Sequence, residues 1–407
     1  MREELIAFLV FLFIFAVVLR ENFIFTILYL FAGVYILGGL WSRRAIGSVS
    51  YKRDFAKRAF LNEDIPVKLQ IKNAGFFPIV WLRVQDSLPL DLSIEKNFRQ
   101  ILSLGPYGQS DYEYLLKARK RGYYQVGPLF ASSGDILGLL KEQKKEGLPD
   151  YLTVYPKIVP ITKLTLPSRS PMGTLRHTQP IFEDPTRVLS KRDYVAGDSL
   201  RRIDWKASAV IGRLQVKQFE PSIALETAIF LNLNANEYDI RTRIDTTELA
   251  IVVAASIANY VSAQKQTVGM YTNGIDPILI EGKPTLTDSL AASAVFRPLP
   301  PRKGRGHLMR LLDILARVQV ANTIPFTQLL RTEYVNLSWG TTIIIITCQL
   351  TDPLFDQLFQ VRRAGLNLVI VLVGPPTHSP EDQRRADYFG FPLYHIYNER
   401  DIDKWRK

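Results

Sequence analysis

Residues 226–273, ETAIFLNLNANEYDIRTRIDTTELAIVVAASIANYVSAQKQTVGMYTN, set the fold class of the C-terminal half. Residues 227–234 and 267–273 are short, near-continuous apolar runs, and Asp245–Gln264 between them has the length and composition of a helix. A strand that is apolar on both faces must be covered on both, so this spacing predicts a buried parallel sheet flanked by helices. The alternation continues with a helical stretch over 308–318, the run TTIIIIT at 341–347, a helix over 353–363 and the run LNLVIVLVG at 366–374. Residues 226–407 are therefore expected to form one α/β doubly wound domain.

Upstream the period changes. VKLQIKN at 67–73, IVWLRVQD at 79–86 and YEYLLKAR at 112–119 alternate apolar with polar residues, and Asn73-Ala74-Gly75, Pro89 and Gly105-Pro106 break them. Period-two alternation with turn chemistry predicts an all-β sandwich over 45–160, with Trp81 in its core. Before it lie two uncharged apolar runs, Leu5–Leu19 and Phe23–Trp41, separated by Arg20-Glu21-Asn22. The second run has 19 residues, close to the ~20 that cross a bilayer core, and residues 1–44 read as a transmembrane hairpin. Arg43, Arg44, Lys52, Arg53, Lys57 and Arg58 follow it while the turn offers only Arg20, so the soluble domains are expected on the cytoplasmic side.

Composition narrows the function classes. The net charge of +12 suits an anionic lipid surface as well as nucleic acid, but no base-stacking or groove-reading motif accompanies it, so no nucleic acid partner is expected. Cys348 is the single cysteine, which excludes an intramolecular disulfide. The histidines, at 177, 307, 378 and 395, show no metal-ligand spacing, and no cofactor motif is present.

A proline-punctuated connector, 161–187, leads into the most unusual stretch of the chain, a signature segment at 188–225. It contains Arg192, Tyr194, Gly197, Asp198, Arg201, Arg202, Asp204, Trp205 and Lys206 in the order R-x-Y-x-x-G-D-x-x-R-R-I-D-W-K-A-S-A. Gly197-Asp198 predicts a turn, with Asp198 capping a short helix whose apolar stripe is Leu200, Ile203, Ala207 and Val210. That stripe does not account for Arg201, Arg202, Asp204, Trp205 and Lys206, which are the expected partner-binding residues.

The signature resembles that of the bacterial and archaeal family called domain of unknown function fifty-eight. Asn73 with Gly75, Trp81-Leu82, Asp86-Ser87-Leu88-Pro89, Arg121-Gly122-Tyr123, Gly127-Pro128, Gly134-Asp135 with Gly138-Leu139, and Val154-Tyr155-Pro156 resemble its pattern in the same order. One departure is Val210, where the family usually has arginine. The resemblance implies a von Willebrand factor A-like C-terminal domain. There the first strand normally ends in D-x-S-x-S, which holds a divalent cation, and a later strand adds an aspartate. This chain has Asn232-Leu233-Asn234-Ala235-Asn236 and, at the later strand, Cys348. Hard cations want oxygen ligands and carboxylate charge, so the metal site is expected to be degenerate. The resemblance also implies a partner class, MoxR-type AAA ATPases. The leading expectation is a non-enzymatic, membrane-anchored scaffold or adaptor that binds protein partners during complex assembly or maturation. Two alternatives stand beside it. One is an enzyme whose charged site includes Asp198, Arg201, Asp204 and Lys206; the other is divalent-metal-dependent ligand binding by the C-terminal domain.

Overall fold

The computed structural model describes residues 2–19, 22–92, 97–134, 142–162, 164, 183–221, 226–279, 295–375 and 380–405. Most of the 161–187 connector, His177 with it, lies outside the described residues, as do Asp135, Gly138, Leu139 and His378. The chain divides into two compact units, Met1–Lys157 with Leu315–Arg317, and Ile158–Ile314 with Val318–Lys407.

The first unit opens with helices α1 (Arg2–Leu19) and α2 (Asn22–Gly47), which meet through Phe8 and Phe31 with ring centroids 5.9 Å apart. α2 is long and apolar enough to cross a membrane. Phe11, Val18, Phe23, Tyr29, Leu30 and Leu37 all face outward. Apolar side chains pointing out around a helix suit a lipid surrounding, so the two helices are consistent with membrane association.

Ten strands follow: β1 (Val49–Asp54), β2 (Arg58–Phe60), β3 (Asp64–Asn73), β4 (Ile79–Ser87), β5 (Asn97–Leu104), β6 (Gln109–Lys117), β7 (Gly122–Val126), β8 (Leu129–Ser133), β9 (Gln143–Glu146) and β10 (Asp150–Tyr155). They form sheets β1-β3-β6, β2-β10-β7 and β5-β4-β8-β9. In β3 the buried Ile65, Val67, Leu69 and Ile71 alternate with exposed Pro66, Lys68, Gln70 and Lys72, the pattern of a strand with one face in the core. Leu69 and Ile71 share one apolar cluster with Leu82 and Val84 of β4 and Leu129 of β8. Trp81 is not in that cluster. The pairing of β4 with β5 shifts register between Ile79 and Leu82. That irregularity leaves Trp81 half-buried beside the Arg83 guanidinium, 5.7 Å from its ring, while Leu82 takes the core position.

Two buried polar groups explain family-pattern residues of this unit. Asn73 accepts from Ser48 Oγ at 2.7 Å and from Gly75 N at 3.0 Å, and donates to the carbonyls of Phe77 and Gly105. The Arg53 guanidinium donates twice to Asp86, at 2.8 and 3.1 Å, and once to Asp150 at 2.6 Å, while Tyr114 Oη donates to Asp86 at 2.7 Å. The side chains of Arg53 and Asp86 are fully enclosed.

The second unit contains an antiparallel ribbon, β11 (Glu183–Asp193) and β12 (Gln215–Pro221), joined across a short helix α3 (Trp205–Ile211). The six-stranded sheet comprises β13 (Glu226–Leu231), β14 (Thr267–Thr272), β15 (Leu299–Arg302), β16 (Thr342–Thr347), β17 (Asn367–Val373) and β18 (Leu393–Ile396). Its order is β15-β14-β13-β16-β17-β18, with β15 antiparallel to β14 and the other neighbours parallel. Helices α4 (Arg243–Ala263), α5 (Arg305–Arg317) and α7 (Asp352–Arg363) lie where the periodicity predicts them, and two further helices, α6 (Phe326–Glu333) and α8 (Pro380–Phe389), were not predicted. α7 has Pro353 in its first turn and buries Leu354, Phe355, Leu358 and Val361 at helical spacing. Leu354, Leu358 and Val361, with Phe326, Leu329 and Leu330 of α6, cluster with Phe230, Ile343, Ile345 and Ile370. α4 packs on the same strands outside that cluster. It is apolar enough to resemble a membrane span, but two thirds of it is buried, which marks it as a core helix.

Candidate functional site

The signature segment folds from its ion pairs outward. After β11 the chain turns at Gly197, whose φ of 111° suits glycine. The Asp198 carboxylate accepts the Arg192 guanidinium in a two-pronged pair at 2.6 and 2.8 Å, and also Val195 N at 3.0 Å. Those bonds, Arg192 first, hold the Asp198 carboxyl below the usual carboxylate range. Leu200–Arg202 make a single 3-10 turn. Ile203 then reverts to extended backbone and bridges to Val216.

Asp204 is the true helix cap. Its Oδ1 accepts Ala207 N at 3.1 Å and its Oδ2 pairs with Lys191 at 2.9 Å, which lowers its pKa. Ser208 Oγ donates to the Asp204 carbonyl and accepts from Gln215 N, both at 2.8 Å, tying α3 to the ribbon. The Gln215 amide donates to Asp193. Gly212, at φ 72°, ends α3 in the left-handed conformation.

This corrects the expected helix. The break at Ile203 splits it in two, Asp198 is held by Arg192 instead of capping, and the expected stripe does not share one buried face. Ile203 is buried at 6% exposure, but Leu200 is 66% exposed and Val210 82%. Trp205 is 67% exposed, and Val195, Ile211 and Leu214 also face solvent. Arg201, Arg202, Lys206 and Arg213 are exposed around them. Arg192, Asp198 and Asp204 are thus fastenings of the module, Gly197 is its turn, and the outward chemistry is apolar and basic. Tyr194 is half-buried, and its backbone N donates to Leu214 O at 2.9 Å.

A second polar cluster sits at the C-terminal ends of the parallel strands, where β13 lies between β14 and β16. In open α/β sheets that reversal point is where ligands bind. Asn232 and Asn234 follow β13, Asn273 follows β14 and Thr347 ends β16. Asn232 Oδ1 accepts from Asn234 N at 3.1 Å and from Asn273 Nδ2 at 3.2 Å. Asn232 Nδ2 donates to Glu237 Oε2 at 2.8 Å and to Thr347 Oγ1 at 3.2 Å. Asn234 Oδ1 accepts from Asn236 N at 3.2 Å, and Asn234 Nδ2 donates to Glu237 Oε1 at 3.2 Å. Phe326 N, at the start of α6, donates to Glu237 Oε1 at 2.9 Å.

Cys348 lies beside this cluster. Its Sγ donates to the Glu237 carbonyl at 2.9 Å, and burial pushes the thiol up to about 12. The side chain meeting Asn232 across the strands is Thr347. Asn236 is exposed and contributes its backbone N–H. Glu237, Asn273 and Thr347 were missed by the sequence reading. Glu237 directly follows the asparagine series, and that adjacency was the available signal. Among the described residues no group of three His, Cys, Asp or Glu side chains is placed to hold a metal ion.

The family model described as "Protein of unknown function DUF58" matches residues 190–331. Over those residues the chain is similar to the DUF58 family. The match takes in the signature module and also Asn232, Asn234, Glu237, Asn273 and Phe326. The chain is also similar to the uncharacterized protein YeaD of Bacillus subtilis (strain 168), 22% identical over 351 residues that cover 84% of this chain and 80% of the relative. Similar solved structures include the CARDB domain of the PF1109 protein from Pyrococcus furiosus, at 14% identity and TM-score 0.20, covering 26% of this chain and 91% of that one. A beta-glucosidase from Listeria innocua matches at 13% identity and TM-score 0.16, covering 26% of this chain and 16% of that one.

Proposed function

We propose that this protein is a non-enzymatic, membrane-anchored scaffold whose signature module binds a protein partner on the cytoplasmic face. One observation carries the reading: the two carboxylates that could have done chemistry, Asp198 and Asp204, are spent on internal pairs, while the module turns Leu200, Trp205, Val210 and Ile211 to solvent. Exposed apolar and aromatic side chains rimmed by cations fit a protein surface with an apolar pocket and an acidic border. The partner class is a MoxR-type AAA ATPase, as the family resemblance implies, acting in complex assembly or maturation. The six-stranded domain is read as von Willebrand factor A-like, from its strand order with one antiparallel edge. The strand unit is read as a β-sandwich, and α1 and α2 as two spans with the soluble domains inside the cell.

The test is a photo-crosslinking residue placed at Ile211 of the full chain in intact membranes. The expected result is one dominant adduct to a cytoplasmic ATPase, lost when Trp205 is changed to Ser. Adducts spread over unrelated proteins, or no adduct while a surface control on α7 gives one, would sink the proposal.

A further inference from the structure

The polar cluster at the strand ends has a polarity opposite to that of a cation site. Asn232 is fully buried and Asn234 nearly so, and each has its carbonyl oxygen engaged by backbone or Asn273 donors, which leaves its amide N–H groups to point at Glu237. The orientation is therefore set by the network behind the amides and not by Glu237 itself. With Phe326 N they make three neutral N–H donors converging on two oxygens of one half-buried carboxylate. Donors that are already aimed hold an anion without reorganising, and they repel a cation.

We propose that this crown is a carboxylate-binding site that needs no metal, and that the chain's own Glu237 fills it in the resting state. Its ligand is a carboxylate, from an acidic protein side chain or a small organic acid, which takes over the three donors when Glu237 swings out. Glu237 lies only five and three residues from Asn232 and Asn234 in sequence, so it competes at high effective concentration. A ligand then binds the intact chain with an affinity reduced by the small fraction in which the crown is open. This site is separate from the signature module and stands whether or not that module binds an ATPase.

The experiment uses the full chain in detergent, comparing wild type, Glu237→Ala and the double variant Asn232→Ala with Glu237→Ala. Melting temperature is followed against acetate, with acetamide as the neutral isostere and chloride holding ionic strength. In Glu237→Ala, acetate should raise the melting temperature saturably by roughly 3–5 °C at about ten times its dissociation constant, and acetamide should not. Wild type should respond about tenfold more weakly or not at all, and the double variant should not respond. No acetate effect in Glu237→Ala, or an equal one in the double variant, overturns the proposal. If Glu237→Ala does not fold, Glu237→Gln serves, because its amide turns one N–H against a donor and is a poor occupant. A capped Ala-Glu-Ala peptide separates the two sources. Binding tighter than acetate, lost with Ala-Gln-Ala, marks a protein side chain, and a response to acetate alone marks a small acid; either supports the site.

Discussion

Folding and recognition should separate within the signature module, and Ile203 and Val210 are the pair that shows it. Ile203 is 6% exposed and bridges to the buried Val216, so Ile203→Ala removes apolar contact from an enclosed point between the 3-10 turn and the ribbon. Truncations of this kind cost about 2–4 kcal/mol, and the lower figure applies here because a two-stranded ribbon can partly close the gap. About 2 kcal/mol is roughly a thirtyfold change in an opening equilibrium. Val210 is 82% exposed, so Val210→Asp should change stability by less than ~0.5 kcal/mol while placing a charge on the outward face. Amide exchange of the full chain reads the first effect: protons of β11 and β12 should exchange about thirtyfold faster in Ile203→Ala and at the wild-type rate in Val210→Asp. Crosslink yield at Ile211 reads the second and should fall below a tenth in Val210→Asp by the same free-energy scale, about 1.4 kcal/mol per tenfold. Full crosslink yield with unchanged exchange in Val210→Asp would refute the recognition half of this reasoning. Unchanged exchange in Ile203→Ala would refute the folding half.

Asp86→Asn should lower the stability of the strand unit by about 3 kcal/mol, because it leaves the enclosed Arg53 with only Asp150 as a charged partner; a melting shift near zero would contradict this. The Cys348 thiol, pushed up to about 12, should react with maleimide far more slowly in the native chain than in urea at pH 8, and equal rates would mean it is open to solvent. Burial lowers the His307 pKa below its ordinary 6.5, so its contribution to stability is complete above 6.5 and is lost as pH falls through the lowered folded value. A melting-temperature decline below pH 6.5 that is flattened in His307→Gln would be the signature. Millimolar magnesium or manganese should leave the melting temperature of the full chain unchanged, and a saturable rise abolished by Asn232→Ala would restore the cation reading of the crown.

The parallel strands and their helices were legible because burial on both faces writes an unbroken apolar run, as in residues 341–347, and few other structures do. The alternation of β3 was legible for the complementary reason. Trp81 was misread because a register shift in β4 leaves no trace in composition. The signature helix was misread because Asp198 and Asp204 are both good caps by residue type, and what decides between them is tertiary: Arg192 on the preceding strand reaches Asp198, while the ribbon pulls Ile203 into extended backbone. Asn273 and Thr347 could not be placed with Asn232 from sequence, since strand order brings together residues 41 and 115 positions away from it.

The pKa directions in the module also bear on the rival enzymatic reading. A general base working at neutral pH needs a carboxylate whose pKa is raised toward 7, which burial or a neighbouring negative charge provides. Asp198 and Asp204 move the other way, lowered by Arg192 and Lys191 respectively. A lowered carboxylate is a weaker base, and one held by a two-pronged guanidinium would have to break that pair before it could accept a proton. Of the four residues that reading requires, two are thus fixed as anions in structural pairs, while Arg201 and Lys206 stand exposed. Ser208, the module's buried hydroxyl, spends its donor on the Asp204 carbonyl and its acceptor on Gln215 N. A nucleophile needs that donor directed at a base, so the arrangement favours a surface that binds over one that reacts.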